Sequence, residues 1–224
     1  MKTFAIAAFV ANVTALKKLD STECPSADSI DSVADFDGSL YAGTWYEAER
    51  QMSPMPLWMG AGMMENMGKC GTQQIDDEDE GLYVQWKNKM MWPMGWMGSP
   101  RMSAKTLDTG KLLVEFDQPL DWVFDETADA QNYHVLATDY DNYAAVYMCW
   151  PASYFDYAME VVYVYTREAG AVIDDATAAD ITSKVQAIAP SYDPKKSYLP
   201  TQGDKCDYEN AQAEVDAYYA DWTY

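Results

Sequence analysis

Few residues in this chain are suited to chemistry. There is one histidine, His134, and no Ser-His-Asp arrangement is visible. The four cysteines, Cys24, Cys70, Cys149 and Cys206, lie far apart and lack the CxxC spacing of a zinc site. An even count in a chain with a secretory leader suggests two disulfides, with three pairings open. Two carboxylates, Glu47 and Glu49, alternate in "GTWYEAERQM" (43–52), so on a strand both share a face with Trp45. Ionised and unpaired in a barrel they would be costly. Either a Lys or Arg pairs with them, or water reaches them, or they are protonated and donate to a ligand carbonyl. The remaining unusual feature is soft apolar material. Eleven of fourteen methionines and four of eight tryptophans fall between Met52 and Met102. Thioethers bind Cu(I), and Met52, Met55, Met59, Met63, Met64 and Met67 could form such a cluster. The interleaved tryptophans and the absence of histidine there argue against a dedicated copper carrier, so no metal is expected.

These residues need elements to position them. "GTWYEAERQM" (43–52) reads as a strand. "CGTQQIDD" (70–77) and "GLYVQWKN" (81–88) read as a hairpin around an acidic turn, and "RMSAKTLDTGKLLVEFDQ" (101–118) as another turning near Asp108-Thr109-Gly110. "QNYHVLATD" (131–139), "NYAAVYMCW" (142–150) and "AMEVVYVYTR" (158–167) complete about eight short, closely spaced strands, which argues for an all-β barrel or sandwich. The pattern then changes. "DDATAADITSKVQAIAP" (174–190) carries Ala178, Ile181, Val185 and Ile188 at intervals of three and four, opens on acids and stops at Pro190, which predicts one amphipathic helix. Residues 52–69 and 89–102 are broken by Pro and Gly and read as loops.

The first fifteen residues, "MKTFAIAAFVANVTA", have a Lys, an apolar run and small residues before a cleavage point, which reads as a secretory signal. The sequon Asn12-Val13-Thr14 lies inside it. No later stretch reaches about 18 apolar residues, so a soluble secreted chain is expected. The expected organisation is a signal at 1–15, an arm at 16–40, a barrel plus helix at 41–206 and an acidic tail at 207–224, either a short helix or disordered. The formal net charge of −21 becomes −22 without Lys2. Nucleic acid and anionic membrane are therefore poor partners.

Three motifs carry a family resemblance. Gly43-Thr44-Trp45 is a GxW opening the first strand, Thr138-Asp139-Tyr140 lies between two later strands, and Arg167 ends the last. In this order and spacing they resemble the signature regions of the lipocalins. "ATDYDNYAAVYMC" (137–149) is similar to the matching region of the crustacyanin, apolipoprotein D and retinol-binding branches, and "TQGDKCDYE" (201–209) to the C-terminal cysteine region of the first. The resemblance covers roughly 24–210. It implies an eight-stranded antiparallel up-and-down barrel with one helix packed outside. It also implies Arg167 stacked on Trp45 as a structural contact, and bridges Cys24–Cys149 and Cys70–Cys206.

By the same resemblance Tyr133, Val135, Ala144, Val146 and Met148 face inward, His134 faces outward as a surface or wall residue, and Val161, Tyr163 and Tyr165 line the last strand. Residues 52–69 and 89–102 then fall on the rim of the open end. Flexible, polarizable methionine and flat tryptophan there suit an adaptable collar for a protruding ligand or a subunit contact. The plainer alternative is that these loops fill the barrel mouth as core. The expected ligand contacts are Glu47, Glu49 and Trp86 on early strands, Trp58, Met59, Met94 and Trp96 on the two loops, and Tyr133, Val135, Val146, Met148, Tyr163 and Tyr165 on later strands. The expected structural residues are Gly43, Trp45, Thr138, Asp139, Tyr140 and Arg167. What the resemblance implies is a non-enzymatic carrier of a hydrophobic ligand, with an astaxanthin-like carotenoid favoured, as a coloured carotenoprotein. A homo- or hetero-oligomer bridged by the pigment would follow. A bilin, retinoid, steroid or fatty acid is the second choice. A lipid-isomerising enzyme would need a thiol nucleophile, and all four cysteines match bridge positions.

Overall fold

The computed structural model describes residues 24–53, 68–78, 81–89, 95–99, 102–108, 110–114, 133–152 and 157–220. The proposed signal (1–15) and the expected contacts Trp58, Met59 and Met94 lie outside these residues, as do Met55, Met63, Met64 and Met67 of the copper reading.

Strands β1 (Gly43–Met52), β2 (Lys69–Glu78), β3 (Gly81–Lys89), β4 (Trp96–Gly98), β5 (Met102–Asp108), β6 (Lys111–Val114), β7 (Tyr133–Thr138), β8 (Tyr143–Ala152) and β9 (Tyr157–Thr166) form one antiparallel sheet. It closes because β1 pairs with both β2 and β9. β4 and β5 lie along the same edge of β3, opposite Lys87–Lys89 and Leu82–Val84. Nine strands therefore fill eight places round the barrel.

Period-two alternation sorts the side chains. Leu82, Val84, Met102, Ala104, Leu112, Val135, Val146, Met148 and Val161 meet inside in one cluster with Trp45. Outward residues of β7–β9, Leu136, Ala145, Tyr147, Val162 and Val164, pack with Ile181 and Val185 of helix α2 (Asp175–Ile188). Ahead of it, α1 (Gly38–Tyr41) is capped by Asp37, whose carboxylate accepts from the Ser39 and Leu40 amides at 2.9 and 3.3 Å. Asp174 caps α2 in the same way, accepting from Ala176 and Thr177, both at 3.0 Å. Each buried aliphatic on α2 contributes about 1.5–3 kcal/mol. The tail holds helix α3 (Ala211–Ala220), whose Ala211 and Val215 pack on Trp96 and Cys70. No helix among the described residues is long and apolar enough to cross a membrane.

Two bridges tie the ends to the barrel. Cys24 bonds Cys149 across 125 residues, and Cys70 bonds Cys206 across 136. These are the pairings that the resemblance implies. Each contributes about 2–5 kcal/mol by restricting the unfolded chain. The second bridge closes a seam. β1 and β2 pair from Gly43–Ile75 to Tyr46–Thr72, and beyond that point a C-terminal segment enters between them. Tyr198 exchanges backbone hydrogen bonds with Arg50 at 2.7 and 2.9 Å, and the Cys70 amide donates to Thr201. Gln202 donates to the carbonyls of Glu47 and Gly71, at 2.7 and 2.9 Å.

Candidate ligand-binding site

One end of the barrel is closed by the signature residues. The Arg167 guanidinium lies 3.7 Å from the Trp45 ring centroid and donates to the carbonyls of Tyr140, Leu40, Tyr41 and Thr44. Trp45 Nε1 donates to Tyr41 O at 2.9 Å. Gly43 has φ +107°, and a Cβ there would sit 3.0 Å from Arg167 Nη1, so both backbone and space require glycine. Thr138 Oγ1 accepts from the Tyr140 amide, and Asp139 accepts from the amides of Asn142 and Tyr143. Burial pushes the Asp139 carboxyl up, but those donors outweigh it and hold it low. This end is a floor. Its polar groups are directed to backbone carbonyls and amides.

Above the floor runs a hydrogen-bonded layer. The Tyr41 and Tyr133 hydroxyls lie 2.8 Å apart, and Tyr133 donates to Gln73 Oε1 at 3.1 Å. Trp86 Nε1 donates to the Tyr165 hydroxyl, and Tyr165 stacks on Tyr163 at 5.3 Å between centroids. Burial raises the pKa of all four phenols, so they stay neutral at pH 7.

The next layer holds the charges. Glu47 is 3% exposed and Arg50 6%, and Arg50 Nε lies 3.4 Å from Glu47 Oε1. Of the three fates open to Glu47, pairing with an arginine is the one adopted. Burial pushes its carboxyl up, and Arg50 pulls part of that back. A Cβ at Gly71 would overlap this carboxylate, so glycine makes room for it. Asn88 Oδ1 faces the same spot. Toward the Met52 end the inner face loosens. Met52, Trp86, Met159 and Tyr163 are only partly buried, whereas Tyr133, Val135, Val146, Met148 and Tyr165 are almost fully so.

Several expected contacts sit elsewhere. A bulge between Glu47 and Glu49 shifts the register of β1 against β9. Glu49 therefore points out of the barrel and accepts a hydrogen bond from Tyr192, beyond α2. The bulge also turns Arg50 inward, and sequence reasoning missed it. Trp96 is not on the rim. It lies on β4 opposite Lys89, 2% exposed, with its ring against Tyr208 and its amide donating to Glu214 of α3. It is a wall residue under the tail helix. His134 faces outward, and of the two expected places, surface or wall, it takes the buried wall position. It is 1% exposed, with Nδ1 3.4 Å from Ser32 of the N-terminal arm. That arm joins the barrel through Val33, whose amide donates to the Val135 carbonyl and whose carbonyl accepts from the Gly110 amide. Trp86, Tyr133, Val135, Val146, Met148, Tyr163 and Tyr165 are brought together on the inner face with Glu47.

Among the described residues no group of three or more His, Cys, Asp or Glu side chains is placed to hold a metal ion. A concavity of about 540 Å³ lies outside the barrel between α2 and strands β1 and β9. Its lining includes Ala48, Glu49, Ile173, Ile181, Tyr192 and Leu199.

The model of the lipocalin / cytosolic fatty-acid binding protein family matches residues 64–172. That span holds β2 to β9 and two of the three signature motifs, Thr138-Asp139-Tyr140 and Arg167. The GxW, outside the span, completes the pattern through the contact of Trp45 with Arg167 at the barrel floor. This match and these contacts support a lipocalin assignment for the chain. The chain is 27% identical over 149 residues to the Lazarillo protein of Schistocerca americana, an alignment covering 62% of this chain and 61% of that protein's length. Its fold is similar to that of the cockroach allergen Per a 4, at 18% identity and TM-score 0.54, over 81% of this chain and 96% of that one. Lobster apocrustacyanin A1 superposes at 17% identity and TM-score 0.53, over 78% and 84%. Insecticyanin from the tobacco hornworm Manduca sexta does so at 20% and 0.52, over 82% and 88%.

Proposed function

We propose that this protein is a secreted lipocalin carrier holding one hydrophobic molecule inside the barrel, and that the molecule is a carotenoid of the astaxanthin type. The observation that carries the reading is the composition of the inner face. Apolar walls from β3, β5 to β9 enclose a short polar seam of Trp86, Tyr163, Tyr165, Glu47 and Arg50 next to the loosened end. An apolar lumen with a few placed polar groups suits a long apolar molecule with a polar end. The resemblance to the crustacyanin branch turns that class toward a carotenoid. Trp58, Met59 and Met94 would collar the part that protrudes, and a pigment shared between two chains would make an oligomer. Neutral tyrosines and the Glu47–Arg50 pair would polarise the end group and shift its colour.

Secretion is supported by the two disulfides, which fit an oxidising compartment. Carriage rather than catalysis is favoured because all four cysteines are bonded in pairs, which removes the thiol nucleophile a lipid-isomerising barrel would use.

The test is a visible absorption spectrum of the protein from its native source, followed by organic extraction and mass spectrometry. A strong band displaced from that of the extracted pigment is the expected result. A protein that releases a bilin, retinoid, steroid or fatty acid instead would overturn the carotenoid and keep the carrier.

A further inference from the structure

We infer that Arg50 is the ligand's polar anchor and that it selects an uncharged carbonyl oxygen. The inference rests on the reading of the barrel as the ligand site. Arg50 is 6% exposed, yet its Nη2 has no hydrogen-bond partner and its Nε meets Glu47 only as a misaligned contact at 3.4 Å. The Tyr163 hydroxyl lies within its reach, and the Tyr198 ring covers it at 5.4 Å. A buried donor left unpaired is costly, more so on a charged group. Amide side chains can be turned to exchange donor for acceptor, so the orphan atoms of Gln73 and Asn88 do not fix what they face. A guanidinium has only donors. Whatever completes Arg50 must therefore accept.

Its direction is set by the fold. The bulge at β1 turns Arg50 to the same side as Glu47, opposite Tyr163 of β9. Arg50 pairs with Tyr163 two residues from Met52, and Met52, Trp86, Met159 and Tyr163 keep partial exposure there, so the unpaired N–H lies at the loosened end of the barrel. Charge then chooses between acceptors. Glu47 already balances Arg50, and a ligand carboxylate would add a second anion to a dry site holding one cation. A ketone or aldehyde oxygen accepts from Nη2 without that penalty.

The experiment uses a matched C18 series, octadecane, 2-octadecanone and octadecanoate, each displacing the neutral fluorophore N-phenyl-1-naphthylamine from the disulfide-intact protein at pH 7.5. A charge-assisted hydrogen bond predicts that the ketone binds at least about tenfold tighter than the hydrocarbon and tighter than the carboxylate. Arg50→Met is expected to abolish the ketone-to-hydrocarbon ratio. Because that variant leaves Glu47 without its cation, the double variant Glu47→Gln/Arg50→Met is measured beside it and should lose the ratio too. A ratio near one in the wild type, a ratio that survives both variants, or a carboxylate that binds best would each overturn the inference. Failure of the fluorophore to bind at all would instead remove the barrel reading on which it rests.

Discussion

Glu47 is the residue whose surroundings make the sharpest prediction. Its folded pKa lies above the ordinary glutamate range, chiefly through burial, with Arg50 as the partial counterweight. The folded state therefore holds this proton more tightly than the unfolded chain does. Its contribution to stability is fully present below about pH 4.3, the unfolded value, and is lost as pH rises through the raised folded value. Asp37, Asp139, Asp174 and Asp193 have depressed values and act the other way, losing stability as pH falls. The comparison with Glu47→Gln isolates the one group. Urea midpoints of the two proteins measured from pH 4 to pH 7 should move relative to each other, with the glutamine variant gaining on the wild type as pH rises. A constant difference would show that Glu47 titrates as in the unfolded chain. Alternation alone gave Glu47 its inward place but also sent Glu49 inward. An extra residue at Ala48 reverses the parity that follows, and a bulge of this kind has no side-chain signature. The same shift brings in Arg50, which period-two reading assigns to the outside.

At the scale of elements, eight of the strands and helix α2 were legible because each has a local cause. Alternation marks the strands, Gly and Asp mark the turns, and Asp174 and Pro190 bound the helix. β4 was not legible. Trp96-Met97-Gly98 is three residues in a run broken by Pro and Gly, and it is a strand only because β3 offers an edge at Lys87–Lys89. Helix α3 had no strong periodicity, and Trp96 with Cys70 supplies the surface that orders it. Burial of His134 likewise depends on an arm more than a hundred residues away in sequence. The placement of Trp96 under α3 can be tested. Trp96→Ala should cost about 3–5 kcal/mol in a urea melt, as removal of a buried tryptophan does, and should leave fluorophore affinity unchanged. A loss of affinity with little loss of stability would return Trp96 to the rim.

Taken whole, the described residues offer two apolar regions, the cluster inside the strands and the concavity between α2 and the barrel wall. Large exposed apolar residues Val172, at 93%, and Leu199, at 69%, lie by the outer one, while the inner one has the polar seam and the signature floor. The central claim is that ligand enters the inner one. The most direct measurement is methyl NMR of the disulfide-intact protein with and without saturating 2-octadecanone. The account predicts shifts at Val135, Val146, Met148 and Val161, with Ile173, Ile181 and Leu199 unmoved. Shifts confined to Ile173, Ile181 and Leu199 would contradict it and place the ligand in the groove outside the barrel.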